Sequence, residues 1–170
     1  MKGSVVIGKF RGIEIEVNVS WLVVFGLVTY MLATNYFPQN YPDWNPALGW
    51  LLGAVVALML FVSVLLHELS HSLVSMKYGI PVKKISLFIF GGIAQIDKEP
   101  DSAGSEFRIA IAGPLVSLGL GLLFGAVWLA APDYSVLDAP AMYLARINLI
   151  LAVFNLIPGF PLDGGRVLRA

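Results

Sequence analysis

The chain has no cysteine, only two histidines and few charges: 13% of its 170 residues are Asp, Glu, Lys or Arg. Without cysteine there are no disulfides, no thiolate metal ligands and no cysteine nucleophile. The formal net charge is zero, so no basic surplus points to a nucleic-acid partner. Hydrophobic residues make up 58% of the chain, and its mean hydropathy is +0.80. Because a small domain has too little interior to bury such a surplus, the composition predicts a lipid environment.

Four uncharged or nearly uncharged apolar runs predict four membrane-spanning helices. We place them at approximately 20–36, 48–78, 108–131 and 141–158. The first run is short for a bilayer core of about 30 Å and requires a tilted or slightly longer helix. A signal peptide is the alternative interpretation, but no small-residue cleavage site follows, so we favour an uncleaved span.

Strand signals precede the first run. In Ile13–Val19 every second residue is apolar, which is the period of a half-buried strand. Ser4–Phe10 can pair with it through Arg11 and Gly12. We therefore predict an N-terminal β-hairpin.

A second strand signal lies between the second and third helices. Val82–Phe90 is rich in β-branched and aromatic residues, and Gly91-Gly92 and Ile93–Ile96 follow. This pattern predicts a hairpin or a glycine-interrupted edge strand. The segment is too apolar for an open loop, so we expect it in the membrane interface. The predicted fold is an all-α membrane helix bundle with small β elements, forming one domain over residues 1–170.

Lysine and arginine are distributed unevenly between the ends of these spans. They occur in the N-terminal segment, in the link after the second span and in the tail, whereas the links at 35–47 and 133–140 hold none. The positive-inside rule then places both termini and the link after the second span in the cytosol. Arg146 is the exception, near the outer start of the fourth span, where its side chain can snorkel.

Both histidines belong to one motif, His67-Glu68-Leu69-Ser70-His71, inside the second apolar run. Residues four apart share a helix face, so the two imidazoles can bind one zinc ion. Glu68 leans toward the same face and can act as a general base without being a ligand. The alternative is a structural cluster of neutral histidines and a protonated glutamate, or a proton relay. An ionisable group in mid-membrane costs about 2.5–3.5 kcal/mol, which favours the functional interpretation.

A zinc site of this kind needs a third protein ligand. Asp163 lies where Pro158, Pro161 and neighbouring glycines break the fourth span near its cytosolic end. Irregular backbone at membrane depth must be covered by protein or water, so this break can present Asp163 to a metal. The alternative is that Asp163 caps a helix beginning at Gly164. From spacing alone the two roles are equally supported, and the shared cytosolic depth favours the ligand role.

Asn148 and Asn155 share one face of the fourth span. Either can simply form interhelical hydrogen bonds, or Asn155 can face the metal cleft and donate to a substrate carbonyl. The glycines of the third span, Gly113, Gly119, Gly121 and Gly125, are interpreted as helix-packing residues.

Taken in order, four elements resemble the site-2 protease family of intramembrane zinc metalloproteases, in its prokaryotic branch. They are the His67–His71 motif, the strand with Gly91-Gly92, Ala112-Gly113-Pro114, and Asn155–Gly165 with its Asn-x-x-Pro-x-x-Pro-Leu-Asp-Gly core. The resemblance covers the chain from the second span to its end, and the combination is far more specific than the histidine motif alone.

The resemblance implies that His67, His71 and Asp163 bind one Zn²⁺ per chain, that Glu68 is the catalytic base and that Asn155 assists at the active site. It also implies a membrane-embedded hairpin that helps to hold a membrane-anchored protein substrate. The expected location is a prokaryotic cell membrane, with the active site toward the cytosol. Family members commonly continue beyond this length, so we expect further residues after Ala170.

Two other function classes stay open at this point. A metal-ion or proton-coupled transporter could use the same His/Glu/Asp cluster, although four spans without a paired repeat count against it. A catalytically silent membrane scaffold could retain a structural zinc. The sequence does not define the substrate, the trigger or the oligomeric state.

Overall fold

The structure is a computed structural model that describes residues 3–89, 91–96 and 100–170. Phe90, the last residue of the predicted strand segment Val82–Phe90, lies outside the described residues.

Six α-helices account for most of the described chain. They are α1 (Ser20–Met31), α2 (Phe37–Asn40), α3 (Pro46–Lys77), α4 (Ala103–Ala130), α5 (Asp138–Asn155) and α6 (Asp163–Arg169), and a π-helical segment (Leu32–Tyr36) joins α1 to α2. Three stretches among the described residues are long and apolar enough to cross a membrane: Ser20–Asn40, Pro46–Lys77 and Ala103–Ala130.

The fourth predicted span corresponds to α5, which is not among those three stretches. Asp138, Arg146 and Asn148 interrupt its apolar run. It ends at Asn155, before Pro158, which cannot donate a backbone hydrogen bond to a continuing helix. The count of four spans therefore stays a prediction, as does the assignment of residues 1–170 to one domain.

Local capping explains where the long helices begin. Asn45 precedes α3 and its side chain accepts a hydrogen bond from the backbone N–H of Ala47. Ser102 and Ser105 form a reciprocal capping box that starts α4 at Ala103. The helix of the third predicted span, α4, therefore begins five residues earlier than predicted, because the uncharged run marks only the apolar part of this helix.

The strands form one four-stranded sheet in the order β1-β2-β3-β4. They are β1 (Ser4–Phe10), β2 (Ile13–Asn18), β3 (Val82–Phe88) and β4 (Gly91–Ile96). β1 with β2 and β3 with β4 pair as antiparallel hairpins, whereas β2 and β3 pair in parallel. The sequence predicted strands at these places but not the parallel pairing that merges them.

The sheet packs on the C-terminal half of α3, which carries the histidine motif, through apolar side chains. Ile13, Ile85 and Leu87 are fully or almost fully buried against residues of α3 that include Leu65 and Leu69. This contact places the outer strand β4 beside the helix turn that carries the histidine motif. A second core, formed by α1–α3 and α5 around Phe37, Val56 and Leu144, lies toward the other end of the bundle.

Large apolar side chains also cover the outside of the helices. Leu51, Leu122 and Leu129 are more than half exposed, the last of them at 78%. A helix surface this apolar is unfavourable in water and is the surface that lipid chains solvate.

Candidate metal centre

The two imidazoles of the motif face each other on α3. His67 and His71 are buried, and their Nε2 atoms lie 3.2 Å apart. Both nitrogens point to one spot because residues four apart on a helix stand one above the other. The predicted histidine pair is thus brought together inside the protein.

Asp163 reaches the same spot from α6. Its Oδ2 lies 3.2 Å from Nε2 of His67 and 3.2 Å from Nε2 of His71. The residue flanking the helix start is Leu162, and no side-chain capping bond is formed there. The structure therefore disagrees with the alternative in which Asp163 caps the helix, and it joins this carboxylate to the two imidazoles across more than ninety residues of sequence.

Asp163 thus offers a carboxylate oxygen at the spot where the two imidazole nitrogens meet, and a cation could bind all three atoms.

Three close donor atoms of this kind fit a zinc ion. A tetrahedral zinc with ligands at about 2.0–2.1 Å separates those ligands by about 3.3 Å, and the three contacts here are each 3.2 Å. Two imidazoles and one carboxylate are donors that suit zinc. Among the described residues, this is the group of three His or acidic side chains able to hold one metal ion.

The other ring nitrogens are also bonded. Nδ1 of His71 lies 2.7 Å from the backbone oxygen of Ile109, which can only accept, so Nδ1 carries the proton and leaves the Nε2 lone pair free. Nδ1 of His67 lies 2.9 Å from Oγ of Ser117. Neither contact was predicted from the sequence, although Ser117 stands out as the only hydroxyl side chain between Ile109 and Ala130.

Two glycines leave room for the site. A Cβ on Gly113 of α4 would overlap Nε2 of His71 and lie 2.6 Å from Nε2 of His67. A Cβ on Gly92 of β4 would overlap the Glu68 side chain, with the Glu68 Cδ only 2.9 Å away. The glycine at 113 was interpreted as a helix-packing residue, but it adjoins the imidazoles.

The packing interpretation fits only part of the glycine series. A Cβ on Gly121 would meet Leu149 of α5 at 2.8 Å, as expected for helix packing. Gly119 and Gly125 have no atom within 4 Å of the same position.

Glu68 is partly buried and lies between the two candidate ligands of α3, one residue after His67 and three residues before His71. It makes van der Waals contact with the edge strand through Gly92 rather than joining the three ligand atoms. This position suits a group that acts on a substrate beside the metal.

The two asparagines of α5 have different surroundings. Asn148 is fully buried and donates to Oγ of Ser63 at 3.2 Å and to the backbone oxygen of Leu144 at 2.9 Å, so it joins α5 to α3. Asn155 is partly buried and donates to the backbone oxygen of Leu151 at 2.9 Å.

The helix that carries Asp163 is tied to α4 at its far end. Nε of Arg169 donates to Oε1 of Glu106 at 2.9 Å, and a second guanidinium nitrogen contacts the same oxygen. Gly164 and Gly165 pack so closely on the backbone of residues 156–160 that a Cβ on either would overlap it. These contacts fix α6, and with it the direction of the Asp163 side chain.

Comparison with known proteins identifies the family. Peptidase family M50 matches residues 55–141 and 130–170. A zinc metalloprotease of Methanocaldococcus jannaschii, MJ0392, is 42% identical over 171 residues, covering all of this chain and 46% of its own length. A protein of Synechocystis sp. is 42% identical over 174 residues, again covering the whole chain and 44% of the relative.

A solved structure agrees with these matches. The site-2 protease from Methanocaldococcus jannaschii is similar with a TM-score of 0.69 and 39% identity, over 98% of this chain and 70% of that one.

The chain belongs to Peptidase family M50, the site-2 protease family of metalloproteases. The resemblance inferred from the motifs is confirmed. Its apolar helices and these relatives make it a membrane protein. The chain spans a little under half the length of the first curated relatives it matches.

Proposed function

We propose that this chain is the catalytic unit of a zinc endopeptidase that hydrolyses peptide bonds in or near the transmembrane segments of membrane-anchored proteins. One observation carries the proposal: Nε2 of His67, Nε2 of His71 and Oδ2 of Asp163 lie at mutual distances of 3.2 Å inside an apolar helix bundle. His67, His71 and Asp163 are the proposed ligands of one Zn²⁺. A zinc ion held there supplies Lewis acidity that polarises a carbonyl and lowers the pKa of water.

Glu68 is the proposed general base. Its carboxylate accepts a proton from the attacking water and delivers it to the leaving amine, so no covalent intermediate with the protein forms. Its place beside the ligand cluster, against Gly92 of the edge strand, supports this role.

Asn155 is the proposed hydrogen-bond donor to the substrate carbonyl. A side-chain amide has two N–H groups, and the contact with the Leu151 backbone oxygen uses one of them. The second N–H is available for a substrate oxygen, where a donor stabilises the charge that develops during hydrolysis.

The edge of the sheet is the proposed binding place for the scissile segment. A helical substrate hides its carbonyls in hydrogen bonds, so it must unwind to be cut. β4 is the last strand of the sheet, and an extended peptide can add to such an edge through main-chain hydrogen bonds. Gly92 brings this strand against Glu68, so a peptide paired with β4 passes close to the proposed base.

An apolar cavity next to this strand supports an apolar substrate. Its volume is about 270 Å³, and it lies between α1, α3, α5 and the β3–β4 turn. Leu87 and Gly91 line it on the sheet side, and Val64, one turn before Glu68, lines it on α3. The metal ligands themselves do not line it. We assign it to apolar side chains that flank the scissile segment.

The proposed orientation places the N-terminus and the active site toward the cytosol of a prokaryotic cell, with the chain passing through the cell membrane several times. The parallel pairing of β2 with β3 supports this orientation. Because β2 precedes α1 and β3 follows α3, the two strands can share a sheet only if both lie on the same side of the bilayer. That side carries the lysine and arginine residues of both segments.

The transporter alternative gains no support. The family is one of metalloproteases, and the described residues add no feature that favours ion transit over hydrolysis.

The test uses Glu68→Gln and His67→Ala in the membrane-embedded protein with a single-span reporter substrate. Glu68→Gln should retain zinc and lose about 100-fold or more of its cleavage rate, since general bases contribute about 10²–10⁴-fold. His67→Ala should lose both zinc and cleavage. Normal cleavage by Glu68→Gln, or full zinc content in His67→Ala, would refute the proposal.

A further inference from the structure

The two imidazoles of the metal centre are oriented by different kinds of group. His71 is held by a backbone oxygen, that of Ile109. His67 is held by a side chain, the hydroxyl of Ser117, whose Oγ lies 2.9 Å from Nδ1. Only the second contact can be removed by substitution, and its partner comes from a different helix.

We propose that Ser117 is a positioning residue that fixes the ring orientation and tautomer of His67 for metal binding. This inference rests on the proposed function, because it takes His67 as a zinc ligand. Ser117 accepts the Nδ1 proton of His67, and the Nε2 lone pair is thereby directed at the spot shared with His71 and Asp163.

The need for such a partner follows from imidazole chemistry. A neutral ring carries one proton, on either nitrogen, and turning the ring exchanges the positions of the two nitrogens. Without an acceptor beside Nδ1, the protonated nitrogen of His67 can turn toward Asp163, which would place an N–H where a ligand lone pair is required. A bond to the other ring nitrogen excludes that arrangement, and losing such a bond typically weakens metal binding by about 10–100-fold.

The surroundings of Ser117 argue against a role in packing alone. Its side chain is 0% exposed and lies within an otherwise apolar stretch of α4, where a buried hydroxyl is unfavourable unless it is hydrogen-bonded. Gly113, one turn earlier on the same helix face, adjoins the same two imidazoles. One face of α4 thus leaves room for the two imidazoles at Gly113 and supplies a hydrogen-bond partner for His67 at Ser117.

The experiment measures zinc affinity of the complete protein in detergent micelles by competition with a chelator. Ser117→Ala should weaken zinc binding by about 10–100-fold. Ser117→Thr retains the hydroxyl and should restore most of the affinity. With Co²⁺ in place of zinc, Ser117→Ala should alter the visible absorption spectrum, since the orientation of the His67 ring would no longer be fixed by a hydrogen bond.

Ser75→Ala is the matched control. Ser75 is equally buried on α3, but its hydroxyl has no hydrogen-bond partner among the described residues. This variant should bind zinc like the wild type. An equal loss in Ser75→Ala and Ser117→Ala, tracking an equal loss of thermal stability in the zinc-free proteins, would overturn the inference.

The outcomes separate this inference from the proposed function. Wild-type zinc affinity and an unchanged Co²⁺ spectrum in Ser117→Ala, with zinc lost in His67→Ala, would overturn only the role of Ser117. Unchanged zinc binding in His67→Ala would overturn the metal site itself.

Discussion

Gly113 lies against the Nε2 edge of the His71 ring so closely that no side chain fits between them. We predict that Gly113→Ala weakens zinc binding by about 10–100-fold, since overpacking a filled site costs about 1–3 kcal/mol. The measurement is zinc affinity by chelator competition. Gly119→Ala on the same helix meets no atom within 4 Å and is the control. Equal affinities for the two variants would show that the glycine at 113 is not required for the site.

The contact between Gly92 and Glu68 leads to a different prediction. A Cβ at position 92 would overlap the Glu68 side chain, and the nearest atoms that it would meet belong to Glu68 and Leu87 rather than to His67, His71 or Asp163. We expect zinc content to be retained and the cleavage rate to fall about 100-fold, because displacements of about 1 Å have effects of that size. Gly8→Ala, in β1 and open on its outer side, should cleave normally. A Gly92→Ala enzyme of full activity would contradict the close approach of β4 to the base.

Zinc should also stabilise the folded protein. A ligand that binds only the folded state adds about 2.7 kcal/mol at a concentration 100 times its dissociation constant. Removing the metal with a chelator should therefore lower the unfolding temperature, and added zinc should restore it. In Asp163→Asn, which keeps the size of the side chain, we expect little of this zinc-dependent shift. The measurement is a thermal melt in detergent with and without zinc, and a full shift in Asp163→Asn would exclude this carboxylate as a ligand.

The stability of the pairing between β2 and β3, which joins the two hairpins, should depend on pH. Burial raises the pKa of Glu16, but hydrogen bonds from Lys84 and Ser86 more than offset this effect and leave the pKa below its ordinary value. A carboxyl with a lowered pKa stabilises the fold above the pKa of the unfolded chain, and this contribution is lost as the pH falls through the folded pKa.

Hydrogen exchange of the backbone amides in β2 and β3 tests this prediction. Protection between these strands should decrease below about pH 4, the range in which ordinary glutamates become protonated. In Glu16→Gln the protection should be lower at neutral pH and vary less with pH. Identical pH profiles for the two proteins would show that the Glu16–Lys84 contact does not stabilise the sheet.

The parts of the fold that depend on local pattern were predictable. The alternation in Ile13–Val19 and the β-branched residues after Pro81 mark strands that the structure contains. The apolar runs locate the long helices, with errors only at their ends. These signals are readable because helix and strand periods are properties of neighbouring residues.

The contacts between distant segments were not predictable in the same way. Nothing near Val17 or Leu87 indicates that they are partners in a parallel pair. The contacts of Ser117 with His67 and of Arg169 with Glu106 depend on how helices are rotated against each other, which single-chain periodicity leaves undefined. His67, His71 and Asp163 could be proposed as ligands from the sequence because such side chains are rare in an apolar chain, whereas their spacing alone did not show that they meet.

The parallel pairing of β2 with β3 sets an order for assembly. Glu16 and Lys84 are 68 positions apart, and both α1 and α3 lie between them. The N-terminal hairpin can form as soon as it leaves the ribosome, but it stays a two-stranded ribbon, which is only marginally stable by itself. The sheet closes only after the polypeptide has emerged past residue 84, by which time α3 and its two histidines have been synthesised. Completion of the sheet therefore follows the synthesis of α3, the helix that carries His67 and His71.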